Sequence, residues 1–101
     1  MTDRPAQIQA MITDVMRRNS GRLQGHRVFL FGSRARGQGR DRSDFDIGVI
    51  GDNPLPVQDF YAIEDQLEDL PTLYKIDWVD FNRASDRFRQ IAMQKIEVIH
   101  G

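Results

Sequence analysis

Phe45, Ile47 and Val49 alternate with Asp44, Asp46 and Gly48, and no other stretch of the chain so narrows what it can fold into. Side chains of a strand point to opposite faces in turn, so this period of two predicts a strand over residues 45–50 with an apolar face. Its other face begins with two carboxylates. Asp44 and Asp46, two residues apart, project the same way and stand a few ångströms from each other. Two ionised carboxylates that close repel and raise each other's pKa unless a cation lies between them. An isolated Asp-x-Asp is often only a solvated strand start. Here the apolar residues that follow predict a buried strand, where unpaired acids are costly.

The rest of the pattern supplies covering helices and further strands. Ile8, Met11, Ile12, Val15 and Met16 recur at helical spacing, predicting an amphipathic helix over residues 5–19 that begins with Pro5 and stops at Ser20-Gly21. Residues 28–31 form a short apolar run, hence a buried strand, and Gly32 and Ser33 follow at once. Ser33 is suited to cap a short helix through Arg34 to Gly37, and residues 37–41 read as a loop. Residues 51–56 read as a turn. Phe60, Ile63, Leu67 and Leu70 make a second amphipathic helix that Pro71 ends. Residues 74–81 are a third strand, and Ser85 caps a last helix carrying Phe88, Ile91 and Ile96. Residues 97–100 are either a short edge strand or a tail. The order α-β-α-β-α-β-α makes the fold class α/β or α+β, and strand direction is not readable from it.

With 101 residues, the chain is expected to be a single domain, 1–101, with an ordinary apolar fraction of 40%. It has no cysteine, and its two histidines lie far apart. Thiolate and histidine-rich zinc sites are therefore excluded, and any metal must be held by oxygen, as magnesium, manganese and calcium are. A net charge of −1 argues against direct nucleic-acid binding. Arginines crowd at positions 34, 36, 40 and 42, whereas acids dominate from Asp59 to Asp69, suggesting an anion site and a separate acidic surface. No apolar run approaches the roughly 20 residues needed to span a bilayer, and nothing resembles a signal peptide, so a cytoplasmic protein is expected.

Two further features join the Asp44 and Asp46 pair. Gly32-Ser33 sits between a strand and a helix start, where free backbone N–H groups and the positive end of the dipole favour phosphate. Gly32, lacking Cβ, lets the backbone approach an anion. Taken alone such a pair is more often a plain turn with a helix cap. Asp77 lies in the middle of an otherwise apolar strand and demands a partner, while Asp80, nearer the strand end, is expected to be exposed. A third acid beside the first two would complete a two-metal site for in-line displacement. His26 is expected to be exposed, and neither it nor His100 has an evident role.

Gly32-Ser33, the ten residues from Arg34 to Ser43, and then Asp44-Phe45-Asp46 reproduce a GS-x10-DxD signature. The chain thereby resembles the polymerase β nucleotidyltransferase superfamily, and the strings FGSRARG from Phe31 and SDFDIGV from Ser43 resemble its minimal nucleotidyltransferase branch. The resemblance implies a small core with a short mixed sheet of three or more strands packed with helices. It implies two Mg2+ ions ligated by Asp44, Asp46 and Asp77, with Asp77 helping to deprotonate the attacking hydroxyl. Gly32 and Ser33 would hold the β and γ phosphates of ATP, and Arg34 and Arg36 would neutralise phosphate charge. The same resemblance implies a HEPN-domain RNase toxin as partner, silenced by transfer of AMP to a tyrosine, in a homo- or hetero-oligomer. Two other functions compete: an antitoxin that neutralises its partner by contact alone, and a small-molecule nucleotidyltransferase, disfavoured because no second substrate domain is present.

Overall fold

The computed structural model describes residues 4–32, 35 and 44–101. Among these, helix α1 spans Pro5–Arg18, strand β1 His26–Phe31, strand β2 Phe45–Gly51, helix α2 Val57–Glu68, strand β3 Ile76–Asp80, helix α3 Asp86–Ala92 and strand β4 Glu97–His100. The sheet order is β3-β2-β1-β4. It is mixed: β1 runs antiparallel to β2 and β4, whereas β2 and β3 are parallel. The parallel pair needs a crossover, and α2 supplies it.

Alternation along the strands divides the sheet into two packed faces. Val28 and Leu30 of β1, Phe45, Ile47 and Val49 of β2, and Trp78 of β3 share a core with Ile8, Ile12, Val15 and Met16 of α1 and Ile63 and Leu67 of α2. Asn19 caps α1 and is buried there. Its amide donates to the Val15 carbonyl at 2.7 Å and to Gln66 Oε1 at 2.8 Å, tying the two helices together. The opposite face carries a smaller core of Phe29, Phe31, Phe81 and Ala92. Phe81 meets Phe29 and Phe31 edge-on, with ring centroids 4.8 and 4.9 Å apart. Gly48 makes room for these rings, since a Cβ there would lie 2.6 Å from Phe81 and 2.7 Å from Phe29.

Helix α1 ends where the helical spacing places it, the buried Asn19 closing its last turn just ahead of Ser20-Gly21. Other expectations are corrected. The last helix stops at Ala92, so Ile96 lies beyond it, in the approach to β4. Residues 97–100 are an edge strand, because β1 would otherwise present unpaired N–H and C=O groups along that side. Asp80 is buried, only 7% exposed: it accepts from the Leu55 N–H at 3.1 Å and the Asn82 N–H at 2.9 Å. His26 is half-buried, its ring nitrogens 3.0 Å from the Gln24 carbonyl oxygen and 2.8 Å from that of Asn53. The short helix expected after Ser33 lies outside the described residues. No helix among them is long and apolar enough to cross a membrane.

Candidate active site

Pairing register brings two of the three sequence-nominated acids side by side. Asp46, the second residue of β2, is aligned with Asp77, the second residue of β3, and with Phe31 at the end of β1. Aligned residues share a face, so both carboxyls project on the side of the phenylalanine cluster, at the edge where β2 and β3 begin. Both are half-buried. Asp44 stands just ahead of β2 and is exposed.

The charges in this cluster act on Asp46 most. Burial in the first place, then the charges of Asp77 and Asp44 and the hydrogen bond with Asp77, hold its carboxyl above its ordinary value of 3.8. Lys75 opposes them. Its Nζ lies 3.7 Å from Asp77 Oδ1.

Gly32 ends β1 against the same carboxylate. Its φ of +74° lies in the left-handed region, where a Cβ is disfavoured. A Cβ there would collide with Asp46 Oδ2 and come within 3.3 Å of Asp46 Cγ. The turn thus requires the glycine, and a Cβ would push the tip of the Asp46 side chain aside. Ser33, Arg34 and Arg36, the other nominated phosphate-binding residues, lie outside the described residues.

A cleft of about 660 Å³ opens over Asp46 and Asp77, with Phe31, Phe88, Lys75 and Trp78 in its walls. Sequence reasoning did not single out Lys75. The available signal was its position two residues before Asp77, a spacing that turns both side chains to the same side once the segment is extended. Nor did it foresee the contact between Gly32 and Asp46, which depends on strands β1 and β2 lying side by side.

Hard, oxygen-only donors suit magnesium or manganese, and a divalent cation would offset the repulsion that raises Asp46. Among the described residues, no three acidic or histidine side chains already converge tightly enough to hold a metal ion. Asp46 and Asp77 form the closed pair, and Asp44 contributes charge from the strand entrance.

Known proteins resemble the chain in sequence and in fold. A protein of Haemophilus influenzae, described as "probable protein adenylyltransferase MntA", is 36% identical over 78 residues, covering 71% of this chain and 62% of its own length. The chain thus spans less than two thirds of that relative. Two solved structures share the fold. One, a toxin–antitoxin with AMP-PNP, has a TM-score of 0.66 at 23% identity, with 92% of this chain and 73% of the other covered. The other, a tri-AMPylated Shewanella oneidensis HEPN toxin in complex with an MNT antitoxin, has a TM-score of 0.61 at 19% identity, with 92% and 72% covered. The family described as "Polymerase beta, Nucleotidyltransferase" matches residues 12–101, nearly the whole sequence and both strands that carry the acids. With that match lying over a mixed sheet that sets Asp46 beside Asp77, the chain belongs to the polymerase β nucleotidyltransferase family.

Proposed function

We propose that the chain transfers AMP from ATP to a hydroxyl of a protein acceptor, a tyrosine of a HEPN-domain toxin, and thereby acts as an antitoxin. The observation that carries this reading is the in-register pairing of Asp46 with Asp77 at the mouth of two parallel strands. The relative described as a protein adenylyltransferase and the fold shared with antitoxins in toxin complexes support the choice of acceptor.

Asp44, Asp46 and Asp77 are the residues that would hold two Mg2+ ions, which when bound would neutralise triphosphate charge and lower the pKa of the attacking hydroxyl. The chain's own residues do the remaining work. Gly32 keeps the end of β1 clear of side-chain bulk beside Asp46, leaving its backbone open to the β and γ phosphates, which Ser33 also holds. Arg34 and Arg36 neutralise phosphate charge. Asp77, held beside Asp46 by strand pairing, receives the proton of the acceptor hydroxyl. Phe31 and Phe88 line the cleft with apolar surface, reducing water around the reacting phosphate.

The test uses ATP labelled at the α-phosphate, with magnesium and the partner protein present. Label is expected on a partner tyrosine. The double change Asp44→Asn, Asp46→Asn should abolish labelling while the fold survives, because asparagine keeps the shape and removes like-charge repulsion. Neutralisation of the partner by wild type and double variant alike, without label in either, would replace this reading with contact-only antitoxin action.

A further inference from the structure

Among the described residues Lys75 is the cation beside the acid pair, and its setting is unlike that of a structural ion pair. Its backbone is pinned where β2 and β3 start, since its carbonyl accepts from the Phe45 N–H at 2.9 Å. Its side chain is 70% exposed, with the ammonium 3.7 Å from Asp77 Oδ1. An exposed pair of this length is loose and readily exchanged. The stem therefore has a fixed root and a mobile charged tip, which sits in the wall of the cleft that also holds Asp46 and Asp77.

What would move the tip is electrostatics. In the metal-free protein Asp77 supplies the attraction. A divalent cation held by the carboxylates would weaken that attraction and repel the ammonium, and the phosphates of a nucleotide in the same cleft would compete for it. A lysine ammonium binds phosphate as a compact point charge with three donors. Glu64 and Glu68 also line the cleft, so Lys75 is a positive counterweight within a mainly acidic wall.

We propose that Lys75 leaves Asp77 on nucleotide binding and holds the pyrophosphate portion of the donor, a substrate-contacting role that rests on the transferase reading above. In the transfer, the acceptor oxygen bonds to the α-phosphorus as the bond from that phosphorus to the bridging oxygen breaks. The electron pair leaves with pyrophosphate, the hydroxyl proton passes to Asp77, and Lys75 stays protonated against the departing charge.

Calorimetric titration of wild type, Lys75→Met and Lys75→Arg with Mg–ATP and with magnesium pyrophosphate tests this, alongside labelled transfer and a titration with manganese alone. Loss of one charge-assisted phosphate contact should weaken both ATP and pyrophosphate binding by roughly tenfold or more in Lys75→Met, with Lys75→Arg restoring most of it. Manganese alone should bind Lys75→Met at least as tightly as wild type. Unchanged pyrophosphate binding in Lys75→Met overturns the proposal, and a gain in manganese affinity with that result would make Lys75 only a stand-in for the metal. A lower kcat at unchanged KM for ATP would likewise overturn it in favour of merely aligning Asp77. Wild type that binds Mg–ATP but transfers no label would sink the transferase reading and leave the binding comparison to judge Lys75. Wild type that binds neither ligand overturns both.

Discussion

Replacing Gly32 with alanine separates the demand of the turn from the demand of the acid. The chain contains its own control: Gly25 has a φ of +75°, against +74° at Gly32, and nothing lies within 4 Å of a Cβ built on it. Gly25→Ala therefore measures left-handed strain alone, about 1–2 kcal/mol. Gly32→Ala carries the same strain and adds the collision with Asp46 Oδ2 and the 3.3 Å approach to Asp46 Cγ. Turning the half-buried Asp46 side chain aside costs about 0.5–1.5 kcal/mol, which brings the total to about 1.5–3.5 kcal/mol. For a domain of this size 1 kcal/mol lowers Tm by roughly 4–8 °C, so Gly32→Ala should melt distinctly below Gly25→Ala.

The excess belongs to the carboxylate only if it disappears with the carboxylate. Urea denaturation of Gly32→Ala, Asp46→Ala and the double variant completes a thermodynamic cycle. In the Asp46→Ala background, Gly32→Ala should cost no more than Gly25→Ala, leaving a coupling of about 0.5–1.5 kcal/mol. Labelled transfer should fall in Gly32→Ala far more than in Gly25→Ala, since only the first moves Asp46. Equal destabilisation by both glycine substitutions, or an excess that persists without the Asp46 carboxylate, would refute the close approach as the reason for this glycine.

Two further expectations concern stability. Asp46 has a folded pKa above 3.8, so between that value and the raised one the native state retains a proton that the unfolded chain releases. Stability is therefore lost as pH rises through this window, and Asp46→Asn should be more stable than wild type at pH 7 and converge with it near pH 3; melting curves with the opposite trend would contradict the raised pKa. Asp80→Ala should lose about 2–5 kcal/mol, because the buried Leu55 N–H and the half-buried Asn82 N–H that Asp80 accepts would lose their partner, with Asp80→Asn costing less. A change in Tm under 2 °C for Asp80→Ala would mean that Asp80 behaves as an exposed residue.

The sequence by itself determined what depends on neighbours along the chain. Alternation through Phe45, Ile47 and Val49 specified a strand, because side-chain direction reverses at every residue. Helical spacing from Ile8 to Met16 and from Phe60 to Leu67 specified the two helices that cover one face. It nominated Asp44, Asp46 and Asp77 by type and position. Tertiary structure decided which of these touch. Asp77 lies beside Asp46 because β2 and β3 are parallel in one register, and a shift of one residue would have turned Asp77 to the other face. Asp80 sits near the strand end, where sequence alone predicts exposure, yet it is buried because the segment before α2 brings the Leu55 N–H to it, a contact across 25 positions. Residues 97–100 are a strand because the free side of β1 accepts them, and Lys75 gains its place beside Asp77 because the start of β3 forms one wall of the cleft. Local pattern sets the direction of a side chain, and what it meets depends on register, which long-range packing selects.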